Sequence, residues 1–204
     1  MKIKNLLIVL LTLLPALLLS QPQYKYTAIE ESNSFMIVID KSGSMSNRIK
    51  DTKIGAKKFI DDMEKGDQVG LIVFNDAIEL KSDLTSYKST LRSKIDAIRV
   101  GGATLLNDAL ATSVRKLIKS NGNKIIVFLT DGYDTGSNFT ISNLESMFQG
   151  ENIYVYGIGV GSNINVSSLR KISEATGGRF HTALNASELK NIYIDVLNSY
   201  YLDY

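Results

Sequence analysis

The chain contains no cysteine and a single histidine, His181. Without thiols it has no disulfide to hold it, no thiolate nucleophile and no cysteine-bound metal. Its stability must come from an apolar core, and any metal site must be built from oxygen or from His181. An excess of charge is missing as well. There are 23 Lys and Arg against 21 Asp and Glu, and Lys2 and Lys4 in the first segment account for the difference. Such a balance leaves no electrostatic footprint for nucleic acid or an anionic membrane surface. Internal repeats and low-complexity tracts are absent, as are a G-x-S-x-G motif and a second histidine to act as base for a hydrolytic nucleophile.

Long apolar runs are confined to the first segment, "MKIKNLLIVLLTLLPALLLS", where two lysines precede a leucine-rich stretch and a polar "SQPQ" follows. That is the layout of a secretory signal peptide over residues 1–20. Its apolar core is short for a bilayer span and is interrupted by Pro15, so cleavage is expected in preference to retention as a signal anchor. Nothing near the C-terminal "SYYLDY" resembles a second anchor. The expectation is a secreted or periplasmic protein with no stable membrane span after cleavage, its roughly 180 remaining residues forming one domain over 34–203.

Within that domain, "FMIVID" (Phe35 to Asp40) is an apolar run without alternation, as in a strand buried on both faces, and it ends on a carboxylate. A helical pattern follows, with Ile49, Ala56, Phe59, Ile60 and Met63 on one face, closed by Gly66. "QVGLIVF" reads as a second buried strand. Asn75 and Asp76 then lead into "AIELKS" (Ala77 to Ser82), a half-exposed strand of an edge hairpin. Helices are expected over Tyr87 to Ile98 and after "VGGAT", where Leu106, Leu110, Val114 and Leu117 recur at helical spacing. "KIIVFLTDG" is a third apolar strand ending on an acid, Asp131. Next come the strand "NIYVYGIGVG", a helix over Val166 to Ala175, the short strand "RFHTA" and an amphipathic helix from Ser187 to Tyr200. The pattern predicts an α/β, doubly wound, mostly parallel six-stranded sheet with one antiparallel edge strand and helices on both faces.

In such sheets ligands bind beyond the carboxyl ends of the strands where strand order reverses. Asp40, Ser42 and Ser44 follow the first strand, Thr104 precedes a helix and Asp131 follows a later strand. If the two acid-tipped strands are neighbours, these five offer carboxylate and hydroxyl oxygens only, an inventory for a hard cation: magnesium, manganese or calcium. Two carboxylates at the top of a buried sheet repel, and a divalent cation removes that cost. Magnesium retains waters readily, leaving a position for an Asp or Glu from another protein.

Other features read as structural. "DKSGSMS" is also compatible with helix-capping hydroxyls in a turn. Asp134 reads as a loop acid and His181 as a structural residue. "GIGVG" has the wrong spacing and place for a dinucleotide loop. Asn138, Asn165 and Asn185 open N-x-S/T triplets, which mean glycosylation only in a eukaryotic secretory pathway and chance otherwise. The tyrosines of the tail, Tyr200, Tyr201 and Tyr204, are open to three readings: packing, a fraying end or a contact surface.

At "DKSGSMS" the chain resembles von Willebrand factor type A domains, whose D-x-S-x-S signature marks a metal-ion-dependent adhesion site. The resemblance extends through "GGATLLNDAL", with Ala103 between the glycine pair and Thr104, through "FLTDG", and on to "YGIGVG", "EATGGRF" and "ASELKNIY". It implies metal binding by Ser42, Ser44, Thr104 and Asp131 directly or through water, with Asp40 acting through water. It further implies a non-enzymatic module that binds a protein ligand through a divalent cation, with affinity switched in the family by movement of the last helix. The alternatives are a magnesium-dependent hydrolase or phosphoryl-transfer enzyme using Lys41 or Asp134 as base, and a metal-independent scaffold subunit.

Overall fold

The computed structural model describes residues 32–162 and 164–201. The segment read as a signal peptide lies outside the described residues, as does Tyr204. Strand β1 (Ser34–Asp40) is buried along its whole length. Its side chains alternate between two cores: Phe35, Ile37 and Ile39 join one cluster, Met36 and Val38 the other. Burial on both faces is the reason the sequence shows no alternation here.

Helix α1 (Ile49–Asp62) follows, then β2 (Gln68–Phe74) and β3 (Ile78–Thr85). Helices α2 (Lys88–Asp96) and α3 (Leu106–Leu117) come next, then β4 (Lys124–Thr130), α4 (Ile141–Phe148) and β5 (Ile153–Val160). The order closes with α5 (Val166–Glu174), β6 (Phe180–Ala183) and α6 (Ala186–Tyr201). The six strands run β3-β2-β1-β4-β5-β6. All neighbouring pairs are parallel except β2 with β3. Strand β1 is central, with β2 on one side and β4 on the other, so the chain's direction of winding reverses beside the carboxyl end of β1. Helices α1, α2 and α6 cover one face and α3, α4 and α5 the other.

Several elements depart from the sequence reading. Helix α4 is absent from it: the eight residues between two strong strands carry only Leu144 and Phe148 as buried anchors, too few for a visible period. Its start is nevertheless specified locally, since the Thr140 hydroxyl accepts from the Asn143 backbone N–H while the Asn143 side chain returns a bond to the Thr140 N–H. Strand β3 runs to Thr85, three residues beyond "AIELKS", because its largely polar tail still pairs with β2 across register shifts near Leu71. Helix α2 is shorter at both ends than Tyr87 to Ile98. Among the described residues no helix is long and apolar enough to cross a membrane.

Of the readings left open for the terminal tyrosines, packing is the one observed for Tyr200. Its ring stands edge-on to Phe35, Tyr154 and Tyr156 at centroid distances of 6.3, 5.8 and 6.1 Å. The Tyr201 hydroxyl donates to the Asp67 carboxylate and accepts from the Glu64 backbone N–H at 3.1 Å. Aromatic mass and a polar handle let these residues fasten the end of α6 to the base of the sheet. Further up α6, Tyr193 is buried against Phe59, and its hydroxyl finds no hydrogen-bond partner among the described residues. A buried orphan hydroxyl is destabilising, so Tyr193→Phe is expected to raise unfolding stability by about 1 kcal/mol in urea denaturation. An unchanged or lowered stability would mean that the hydroxyl is satisfied in solution.

Candidate metal centre

The first site loop begins at the buried end of β1. One Asp40 carboxylate oxygen accepts the Ser42 backbone N–H at 2.7 Å, and the other accepts the Thr130 hydroxyl at 2.6 Å. That hydroxyl also accepts the Gly132 N–H at 3.2 Å, so Thr130 links the ends of the adjacent strands β1 and β4. From Ser42 the chain enters a single 3₁₀ turn, Gly43–Asn47, anchored by the buried Met45. The turn brings the Ser42 and Ser44 hydroxyl oxygens to 3.0 Å from each other, and the Ser44 hydroxyl donates to Asp131 at 2.6 Å.

The second loop is laced to the first. Gly43 N–H donates to the Gly102 carbonyl at 3.1 Å and Gly101 N–H to the Lys41 carbonyl at 2.8 Å. Gly102 has a φ of +83°, and a Cβ there would lie 2.6 Å from an Asp76 side-chain oxygen. Only glycine fits, which explains the glycine ahead of Ala103 and Thr104. The Thr104 backbone is fixed by Thr135: its N–H donates to the Thr135 hydroxyl at 3.1 Å, and its carbonyl accepts the Thr135 N–H at 2.9 Å. Thr104 is thereby held on the wall of an open cavity of about 350 Å³ that Ser44 and Asp131 also line.

All five sequence-predicted residues are thus brought to one place: Asp40 beneath, Ser42 and Ser44 in a chain of short oxygen contacts to Asp131, and Thr104 across the cavity. Nitrogen and sulfur are absent from this donor set, and among the described residues no group of three or more His, Cys, Asp or Glu side chains is placed to hold a metal ion. Two carboxylates with three hydroxyls can hold a hard divalent cation.

Burial is the largest influence on Asp40 and raises its pKa above the usual 3.8. The bonds from Thr130 and Ser42 oppose the rise, and the nearby Asp131 charge adds to it. A positive ion above the pair would favour both ionised carboxylates.

Asp134 and His181, expected to be structural, are so placed. Asp134 accepts from the backbone N–H groups of Asn107, Gly136 and Ser137 at 2.9, 3.2 and 3.0 Å, capping α3 and shaping its own loop. Asn165 caps α5 through Ser168, and Asn185 accepts from the N–H groups of Ser187 and Glu188. His181 sits in β6, away from the cavity. Sequence reasoning missed Thr130, Thr135 and Arg48, the last of which lines the same cavity. For Thr130 a signal existed, a polar residue closing an otherwise apolar strand. The other two carry none.

A family model for the von Willebrand factor type A domain matches residues 35–194. The chain belongs to this family. Inter-alpha-trypsin inhibitor heavy chain H4 of Homo sapiens is 30% identical over 185 residues, a match covering 80% of this chain and 20% of that protein. The chain therefore spans about a fifth of the length of this curated relative. A von Willebrand factor type A structure from Catenulispora acidiphila superposes with a TM-score of 0.72 at 20% identity, over 83% of this chain and 42% of that one. Proximal thread matrix protein 1 from the mussel byssus, in a form whose metal-ion-dependent adhesion motif is occupied by zinc, gives 0.71 at 23% identity. That match covers 82% of this chain and 45% of that one. Both structures share the fold.

The raised pKa of Asp40 means that the folded type A domain binds this proton more tightly than the unfolded chain does. In chelator, the cost of ionised Asp40 is therefore full above its folded-state pKa and is relieved as pH falls through that value toward 3.8. Urea unfolding of wild type and Asp40→Asn across this range is expected to show wild type gaining stability relative to the variant as pH falls. Parallel pH profiles would contradict the assignment.

Proposed function

We propose that this type A domain is an exported, non-enzymatic binding module that grips an acidic residue of a protein partner through a divalent cation, magnesium before manganese or calcium. Ser42, Ser44 and Thr104 supply neutral oxygens, Asp131 and Asp40 the negative charge, and the partner's carboxylate the last ligand. Export rests on the signal-like segment at residues 1–20.

The observation that carries the reading is the spacing of the oxygens. Adjacent ligands on an octahedral magnesium ion with bonds of 2.0–2.1 Å lie about 2.9–3.0 Å apart. The Ser42 and Ser44 hydroxyls stand 3.0 Å apart and Ser44 stands 2.6 Å from Asp131, so little movement is needed to turn these lone pairs onto one small cation. Family membership supports the same reading, as does the zinc held at the corresponding motif of the mussel protein. The cavity opens to solvent beside these oxygens and is large enough for an incoming side chain.

A hydrolase built on the same cluster needs a general base, and the two candidates near it are engaged elsewhere. Lys41 is paired with Glu79 at 2.9 Å, and Asp134 receives the N–H groups that cap α3. The exposed Tyr133 on the cavity wall is instead the kind of amphipathic contact that protein interfaces favour.

Titration calorimetry of the domain with magnesium, manganese and calcium, on wild type and a Ser42→Ala, Ser44→Ala double variant, tests the proposal. Cation affinity is expected to fall by more than about 100-fold in the variant while its circular dichroism is unchanged. Equal cation binding by both proteins, or by neither, would leave the serines as turn residues and remove the basis of the function.

A further inference from the structure

Arg48 occupies an unusual position at this site. It lies between the 3₁₀ turn and α1 and lines the cavity together with Ser44, Thr104 and Asp131. Its guanidinium lies on the backbone of Gly161, where a Cβ would approach the Arg48 Cζ to 2.8 Å. Gly161 has a φ of +114°, so both its backbone angle and the room for the guanidinium require glycine. Arg48 is half-buried, yet among the described residues its side chain has neither a hydrogen-bond acceptor nor a carboxylate within salt-bridge range. Most other basic side chains around the fold have found partners: Lys41 pairs with Glu79, Lys57 with Asp96, Lys116 with Asp83 and Lys124 with Glu151. Five donors in a planar fork are held on a cavity wall, and none of them has an acceptor among the described residues.

Charge gives this arrangement a direction. A divalent cation neutralises Asp40 and Asp131, so Arg48 leaves the loaded cavity with an uncompensated positive charge. Geometry gives it a scale. Strand β4 pairs with β5 up to Thr130 opposite Gly159, so Asp131 and Gly161 stand one strand spacing and one residue apart. The cation oxygens and the guanidinium resting on Gly161 are therefore separated by roughly 5–10 Å. In an extended peptide, side chains two residues apart point the same way and are about 6.5–7 Å apart.

Resting on the metal-dependent reading above, we propose that Arg48 is a second anchor that makes this site specific for an extended segment carrying two acidic residues in an Asp/Glu-x-Asp/Glu pattern. One carboxylate completes the cation and the other docks on the Arg48 fork. A cavity of about 350 Å³ has room for both. The second contact is a charge-assisted, bidentate pair, which a lysine at this position would not reproduce.

The test uses three blocked peptides of equal length, Gly-Asp-Gly-Gly-Gly, Gly-Asp-Asp-Gly-Gly and Gly-Asp-Gly-Asp-Gly. Each is titrated by nuclear magnetic resonance into the magnesium-loaded wild-type chain and into Arg48→Gln and Arg48→Lys. Wild type is expected to bind the i, i+2 diacid at least about tenfold more tightly than the monoacid, the adjacent diacid falling between them. Arg48→Gln is expected to abolish that preference while leaving monoacid affinity within about twofold, and Arg48→Lys to restore it only in part. Magnesium affinity of Arg48→Gln, measured alone by calorimetry, should be unchanged or slightly higher, because a nearby positive charge has gone. Loss of magnesium binding in wild type would instead overturn the metal reading itself. With magnesium bound, equal affinity for all three peptides, equal loss for all of them in Arg48→Gln, or no binding of any peptide overturns the role of Arg48.

Discussion

A carboxylate that cannot leave the end of the central strand sets the terms for this domain. Asp40 terminates β1, a central strand with parallel neighbours on both sides, and it is fully buried. Burying an anion there is tolerable only with donors aimed at it, and the chain supplies two: the Ser42 N–H, which forces a tight turn, and the Thr130 hydroxyl on β4. The turn sets the two serine hydroxyls side by side. Thr130 locks β4 to β1 and puts Asp131 within reach of Ser44. The site geometry thus follows from satisfying one buried carboxylate.

The rest of the fold keeps that arrangement rigid. Two apolar layers of buried residues lie one on each face of β1, so the strand cannot slide by one residue without moving side chains from one core to the other. The loop carrying Thr104 is tied to the first loop by backbone bonds and to the third by Thr135, while Asp134 pins the third loop to α3. Loops positioned in this way hold oxygens in place before any ion arrives, which lowers the reorganisation that binding requires. Helix α6 is fastened differently. Its C-terminal end is held by Tyr200 and Tyr201, and its middle carries the unpaired Tyr193 hydroxyl.

Much of this was legible in the sequence, for reasons that can be named. The uninterrupted apolar runs of β1, β2 and β4 reported burial on both faces, and the acids at the ends of β1 and β4 reported the sheet's carboxyl edge. With the alternation of strands and helices, that was enough to bring Asp40, Ser42, Ser44, Thr104 and Asp131 together. What could not be read was contact between segments far apart in the chain. Arg48 resembles any surface arginine until Gly161 is found beneath it, and Thr135 is a loop threonine until it meets Thr104. Helix α4 was hidden by brevity, and Tyr200 and Tyr201 by a terminus whose packing depends on β1, β5 and Asp67.

The central claim is that a divalent cation sits on the oxygens gathered above Asp40. Its most direct test is a crystal structure of the domain grown with manganese, with anomalous diffraction used to locate the ion. The account predicts one strong anomalous peak within about 2.0–2.4 Å of the Ser42 and Ser44 hydroxyl oxygens, with Thr104 or Asp131 bound directly or through water. A peak elsewhere, or none at this position at saturating manganese, would contradict it.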